Sequence, residues 1–287
     1  MRILLTGRNG QVGWELERKL APLGEVIATD RATLDLADPD QIRRAVREAR
    51  PEVIVNAAAY TAVDQAEREP EIAFAVNATA PRVLAEETER IGALLVHYST
   101  DYVFDGKKSA PYLEDDSPAP LNVYGRSKLA GEEAVGRSGC HHIVLRTSWV
   151  YGARGRNFLL TVLRLAKERP ELRIVADQIG APTWCRALAE ATKEIISGAL
   201  DDLSASGLYH ATNGGETSWF EFAVEILRIA GIETPVRPIA TAEYPTPAVR
   251  PANSRLQNSK LRSVFGLSLP DWRSSLAQCM KDCATMT

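Results

Sequence analysis

The chain has 287 residues, 45 % apolar and 25 % charged, with a formal net charge of −3. Such a composition suits a globular protein with a sizeable core and lacks the basic excess of nucleic-acid or polyanion binders. No window reaches the apolar length of a membrane span.

"MRILLTGRNG" opens the sequence. Its apolar run is too short for a secretory signal, so a cytoplasmic location is expected. "RILLT" reads as a strand, and "QVGWELERKLAPL" follows with apolar residues at helical spacing. "EVIAT" is a second short strand. Asp38 and Pro39 then form an N-cap and first-turn proline that open the helix "PDQIRRAVREAR". "EVIVNAA" is a third strand, and a long helix is expected from about Glu71 to Ile91. "ALLVHYST" is a fourth strand. A Pro- and Asp-rich loop leads to the helix carrying Tyr124 and Lys128, and "HHIVLRTS" is the next strand. Apolar strands separated by helices predict a parallel sheet covered on both faces.

Beyond Ser148 the rhythm loosens. Helices are expected at Phe158–Lys167, Arg186–Gly198 and Ser218–Ala230, the last opened by a Ser218/Glu221 capping box. "GLYHAT" reads as one more strand, and the Pro-rich segment 234–253 as irregular surface chain. The four cysteines (Cys140, Cys185, Cys279, Cys283) are too scattered for a disulfide scaffold and lack partners for a metal set, so they read as plain thiols. The four histidines (His97, His141, His142, His210) lie in or beside apolar strands, where core or strand-edge roles are expected.

Gly7, Gly10 and Gly13 stand between the first strand and the first helix in a G-x-x-G-x-x-G spacing. Glycine permits the tight turn and the close backbone approach that a pyrophosphate needs, and the helix N-terminus offers N–H donors. Asp30 ends the second strand where an acid binds the adenosine ribose of NAD, but Arg31 beside it suits a 2′-phosphate. Asp35 and Leu36 are placed to flank an adenine. Asn56, Ala57, Ala58 and Ala59 end the third strand at the ligand-binding edge.

Ser99, Thr100, Asp101 and Tyr102 leave the fourth strand at the same edge. Tyr124 and Lys128, at i and i+4, share one helix face. An ammonium beside a phenol favours the phenolate, and such a tyrosine can pass a proton to a carbonyl oxygen as hydride reaches the carbon. Thr100 can hold that oxygen.

In this order, "TGRNGQVG", "NAAA", "STDYVFDG" and "YGRSK" resemble the extended short-chain dehydrogenase/reductase family. Longer stretches, among them "VIVNAAAYTAVDQAE", "NVYGRSKLAGE", "LRTSWVYG", "DQIGAPT" and "YPTPAVRPANSRL", extend the resemblance over nearly the whole chain. The fold it implies is α/β, a Rossmann-type doubly wound parallel sheet with a smaller C-terminal α/β substrate domain. The sheet domain would span 1–150 with roughly 183–213 returning to it, leaving roughly 151–182 and 214–287 for the substrate. The activity implied is reduction of the C4 ketone of a dTDP-sugar, dTDP-4-dehydro-β-L-rhamnose, by NADPH or NADH. Tyr124 would donate the proton, Lys128 would tune it and hold the nicotinamide ribose, and Thr100 would bind the reacting oxygen. Asp101 and Trp149 would lie against the sugar. Gly10, Gln11 and Val12 would touch the pyrophosphate, and Ala59, Tyr60, Thr61 and Tyr98 would line the cofactor.

Some members of the family are dimers bridged by magnesium through glutamates, and Glu15 matches one such position. After "GAPT", however, Arg186 stands where a glutamate is expected, and "CMKDCATMT" holds none. No metal site is therefore expected, a homodimer is left open, and Glu15 reads as a solvated helix residue.

A dTDP-sugar diphosphate calls for cations from the second domain. Arg250 and Arg255, with Asn253 and Ser254 between them, are the candidates. Two alternatives share the frame: a sugar-nucleotide epimerase or dehydratase, and a non-catalytic regulatory relative. A dehydratase would add a second acid after the hydroxyl position, where "STDYVF" has only one. A regulatory relative need not keep the Tyr and Lys present here.

Overall fold

The computed structural model describes residues 1–285. Its strands and helices, in chain order, are β1 (Arg2–Thr6), α1 (Gln11–Leu20), β2 (Glu25–Thr29), α2 (Pro39–Ala49), β3 (Val53–Asn56), α3 (Val63–Ala66), α4 (Pro70–Phe74), α5 (Ala80–Ile91) and β4 (Leu94–Thr100). They continue as α6 (Val123–Arg137), β5 (His141–Thr147), β6 (Val150–Tyr151), α7 (Phe158–Glu168), β7 (Leu172–Val175), β8 (Ile179–Gly180), β9 (Thr183–Trp184) and α8 (Cys185–Asp201). The last are β10 (Gly207–His210), β11 (Thr217–Ser218), α9 (Trp219–Ala230), β12 (Val236–Ile239), α10 (Ser259–Phe265) and α11 (Trp272–Thr285).

Six strands form one parallel sheet in the order β10-β5-β4-β3-β1-β2. The direction of succession reverses between β1 and β3, which opens a crevice at their carboxyl ends. Side chains alternate across the sheet. Ile3, Leu5, Val53 and Val55 pack with α1 and α8 residues such as Leu16 and Leu188. Leu4, Ile54 and Leu95 pack on the opposite face with Ile42, Val46, Val83 and Leu84 of α2 and α5. The expected doubly wound sheet is therefore present. No helix among the described residues is long and apolar enough to cross a membrane.

Local expectations fare unevenly. Asp38 caps α2 through Asp40 N and Gln41 N, and the Ser218/Glu221 capping box opens α9. The single helix expected over 71–91 is broken. A π turn, Ala75–Thr79, separates α4 from α5. Pro81 lacks the N–H that would bond the Asn77 carbonyl, and its ring crowds that carbonyl in a regular helix. Asn77 is buried and uses its side chain on the Tyr60 backbone and the Ser127 hydroxyl. The segment 234–253 is not wholly irregular either, because Val236–Ile239 pairs in parallel with β7.

Helix α6 lies unusually close to its neighbours. A Cβ on Gly125 would come within 2.2 Å of the Tyr102 carbonyl oxygen, and one on Gly131 within 2.1 Å of that of Asn77. Its inner face also carries Glu132, buried in a bidentate pair with Arg146 of β5 at 2.9 and 2.6 Å. Removing one partner of such a pair leaves the other charge buried. Glu132→Ala is expected to destabilise the fold by about 3–5 kcal/mol, measured by urea unfolding. The double variant Glu132→Leu/Arg146→Met is expected to lose less than the single one.

Candidate active site

The turn after β1 is built for close approach. Gly7 has φ +78°, and a Cβ there would stand 2.8 Å from the Ala58 N and Cα. Gly10 N donates to Gly7 O at 2.9 Å, and α1 starts at Gln11. Gly13 serves differently from expectation. It does not line the cleft, and its missing Cβ lets α1 pack on Gly7 O, which such a Cβ would meet at 2.0 Å.

Above this turn runs a cleft of about 1050 Å³. Gly7, Gly10, Gln11, Val12, Asp30, Ala59 and Thr61 line one end, and Tyr98, Thr100, Asp101, Tyr124, Lys128, Trp149 and Arg250 the other. A side recess of about 490 Å³ is bounded by Asp30, Asp35, Leu36 and Tyr60. The Asp30 carboxylate closes its own turn through Ala32 N and Thr33 N and accepts from Asn9 Nδ2. Arg31 lines the cleft beside it.

Two predicted contacts lie elsewhere. Asn253 is buried outside the cleft, donating to Lys108 O and Ala110 O and accepting from Arg255. It pins the 108–110 loop, because a side-chain amide can satisfy two buried carbonyls at once. Arg255 is held by Glu216 and Ser109 O. Arg250 does reach the cleft. It also makes a bidentate pair with Asp64 of α3 at 2.7 and 3.0 Å, across 186 residues of sequence.

At the chemical end, Thr100 Oγ1 donates to Asp101 Oδ1 at 3.0 Å and accepts from Tyr102 N. Ser99 Oγ and Thr147 Oγ1 are buried with no hydrogen-bond partner and both residues line the cleft, whereas the buried Asp101 carboxyl is faced by the Ser254 hydroxyl. Lys128 is only 2 % exposed, and its Nζ donates to Tyr98 O at 2.6 Å. Burial pushes its pKa down to about 8 and that of Tyr124 up to about 12. Burial, and not the ammonium, thus sets the direction of the phenol's shift, contrary to the expected lowering. The two residues share a helix face, but the lysine reaches past the tyrosine to the strand behind.

Sequence reasoning named Trp149 but missed the rest of the wall to which it belongs, above all Trp219. Trp149 has φ +48° and stacks on Trp219 at 3.5 Å and 10°. Its other face lies on Gly180, where a Cβ would meet the indole at 2.6 Å. Tyr102, Phe158, Trp219 and Arg250 border both the cleft and a further cavity of about 320 Å³, which also includes Arg173 and Tyr244. Trp219 sits at the first position of a capped helix, which signals structure and not function.

The glycine-only turn, the open cleft above it and the unpartnered hydroxyls fit a dinucleotide. Magnesium does not fit at Glu15. That residue is buried, not solvated as expected, and its carboxylate receives Arg186 Nε at 3.1 Å. Arg186 also pairs with Asp282 of α11 at 2.7 Å. A guanidinium already supplies the positive charge between these carboxylates, and no group of three or more metal-binding side chains occurs among the described residues.

A family model described as the RmlD substrate binding domain matches residues 1–285. The dTDP-4-dehydrorhamnose reductase of Burkholderia thailandensis is 52 % identical over 294 residues, 98 % of this chain and 99 % of that one. The enzyme of the same name from Escherichia coli K12 is 48 % identical over 297 residues, 100 % and 99 % of the two chains. Among solved structures, dTDP-4-dehydrorhamnose reductase from Bacillus anthracis in complex with NADP superposes with a TM-score of 0.93 at 40 % identity, covering 98 % of this chain and 99 % of that one. UDP-glucose 4-epimerase from Thermus thermophilus shares the fold at a TM-score of 0.84 and 23 % identity, covering 100 % of both chains.

Burial pushes the Asp101 carboxyl up to about 6. Its ionisation therefore opposes folding, and the stability it contributes when protonated is lost as the pH rises through 6. Asp101→Asn is expected to match the parent near pH 4 and exceed it at pH 7.5 by as much as about 3 kcal/mol. Urea unfolding at the two pH values measures this.

Proposed function

Because this chain belongs to the dTDP-4-dehydrorhamnose reductase family of extended short-chain dehydrogenase/reductases, we propose that it reduces the C4 ketone of dTDP-4-dehydro-β-L-rhamnose to dTDP-β-L-rhamnose. Rhamnose donors of this kind feed cell-surface polysaccharide synthesis, a cytoplasmic role in keeping with a chain whose described helices include no membrane span. The observation that carries the proposal is the meeting of Thr100, Tyr124 and Lys128 in one cleft with the Gly7–Gly10 turn.

A bound NADPH or NADH would supply the hydride. The residues that would hold it are Gly7, Gly10, Gln11 and Val12 at the pyrophosphate, Asp30 or Arg31 at the adenosine ribose, and Asp35, Leu36 and Tyr60 around the adenine recess. Ala59, Thr61, Tyr98 and Lys128 would face the nicotinamide half. Carboxylate and guanidinium together suit either cofactor, the one accepting ribose hydroxyls and the other meeting a 2′-phosphate.

The chain's own chemistry is proton delivery and orientation. Tyr124, neutral near pH 7 like any tyrosine and held more firmly so by its burial, has a proton to give to the carbonyl oxygen. Thr100 turns its one hydroxyl proton from Asp101 to the same oxygen, and Trp149 and Asp101 border the sugar ring. With both its faces covered, by Trp219 and by Gly180, the Trp149 indole meets the sugar through its edge. Arg250 would meet the diphosphate at the boundary between cleft and outer cavity, and the aromatic lining of that cavity suits the thymidine. On this reading residues 151–182 and 214–287 form the substrate lobe.

Two measurements test it. Mixing the protein with NADPH and the 4-keto sugar nucleotide is expected to deplete nicotinamide absorbance and give the rhamnosyl product by mass, and Tyr124→Phe is expected to lower kcat by about 10²–10⁴-fold. No turnover by wild type, or full turnover by that variant, overturns the proposal. Arg250→Ala is expected to raise KM by about 10–100-fold with a smaller effect on kcat. A change in kcat alone would remove Arg250 from the substrate site.

A further inference from the structure

His97 is a buried side chain that the chemistry above leaves unused. It is 1 % exposed in the middle of β4, in register with Asn56 of β3 and Val144 of β5. Its Nε2 lies 3.3 Å from Lys128 Nζ, and its Nδ1 lies 3.0 Å from the Asn56 side-chain amide. That amide in turn meets Thr6 Oγ1 at 2.7 Å, and Thr6 Oγ1 accepts from Ala58 N. A chain of polar groups thus runs behind the cleft from the glycine turn to the lysine.

The heavy atoms admit two hydrogen arrangements. In the first, Thr6 donates to the amide oxygen, the amide nitrogen donates to Nδ1, and Nε2–H points at a lysine that must be a neutral amine. In the second the amide is turned over about χ2. Nδ1–H then donates to the amide oxygen, and Nε2 is free to accept from an ammonium. A charged imidazole suits neither arrangement, since both its nitrogens would donate and its charge would face the lysine. Burial and the neighbouring ammonium both hold the His97 pKa well below the usual range.

We infer that His97 is a positioning residue for Lys128, a neutral imidazole whose Nε2 accepts from the ammonium and so keeps it charged and directed at the cofactor side of the cleft. This rests on the reductase function proposed above. Few other groups near the lysine can do this. On α6, Glu132 is one turn away and committed to Arg146 of β5, while Tyr124 carries a neutral phenol. On β4, Tyr98 offers its carbonyl, but its hydroxyl is turned to Thr192. On β3, Asn56 reaches His97 and not the lysine. Without His97 a desolvated ammonium would be left with the Tyr98 carbonyl as its acceptor.

The test follows the Lys128 charge in two ways: the alkaline limb of kcat/KM, and the pH dependence of Lys128 acetylation by acetic anhydride in the cofactor-free protein, read by peptide mass. A hydrogen bond to a charged group moves a pKa by about 1–2 units, so His97→Leu and His97→Asn are expected to lower both midpoints by about one pH unit or more. At pH 8 this is roughly a 5-fold loss of activity that is regained toward pH 6.5. His97→Gln places an amide oxygen near the Nε2 position and is expected to stay within roughly half a unit of wild type. Unchanged midpoints in His97→Leu and His97→Asn, with thermal melts showing both folded, overturn the inference, as does a His97→Gln variant that behaves like His97→Leu. The acetylation arm needs no sugar nucleotide. A wild type inactive on the 4-keto sugar would therefore sink the reductase function while leaving the fate of His97 to be read separately.

Discussion

The constraint on which this molecule turns is the burial of one ammonium group. Lys128 is withdrawn from water almost completely, and a desolvated charge persists only if acceptors surround it. The Tyr98 carbonyl and the His97 ring are two of them, and both belong to β4. For the lysine to reach them, α6 must lie hard against its neighbours. Gly125 and Gly131 permit that approach, and the π turn around Asn77 accommodates it from the other side. Backbone irregularity and glycine placement around α6 are thus consequences of placing a cation behind the sheet edge.

Much of this was legible in the sequence. The alternation of apolar strands and helices announces a parallel sheet, and the carboxyl ends of its strands are where ligands gather. Gly7, Gly10, Thr100, Tyr124 and Lys128 follow one another in chain order at those ends, so local pattern and topology suffice to bring them to one cleft. What escaped notice depends on pairings across long sequence separations. Glu15 looks like a surface residue of an amphipathic helix until Arg186 arrives 171 positions later. Asp64 carries no signal of its own before Arg250 folds onto it. Asn253 has the chemistry of a ligand contact but spends it on two loop carbonyls. The direction of the Lys128 side chain was also invisible, since i,i+4 spacing fixes a shared face and not the partner that each side chain finds.

The cleft combines a rigid floor with walls drawn from distant segments. Its floor is backbone, set by a left-handed glycine and a helix start. Its outer wall is a stack of two indoles, one from the first turn of α9 and one from the loop after β5, the latter held in a backbone conformation uncommon for a bulky residue. Trp149 keeps that conformation because Trp219 and Gly180 clamp its two faces. The Arg250–Asp64 pair spans from the C-terminal segment to α3, so the two sides of the cleft are joined by an ion pair in which the guanidinium is only partly exposed.

The Arg186 junction has a consequence for the order in which the molecule can be finished. Glu15 lies in the first helix after the glycine turn, Arg186 opens α8, and Asp282 belongs to α11. The first helix of the chain is therefore braced by the last. Glu15 is synthesised 171 residues ahead of the guanidinium that braces its helix, and the second carboxylate on that guanidinium comes later still. Until then Glu15 would be a buried carboxylate in search of a cation or an exposed one on a loosely docked helix. Contacts so distant in sequence slow assembly, so the helix behind the glycine turn is braced only after the segment that carries Arg186 has docked.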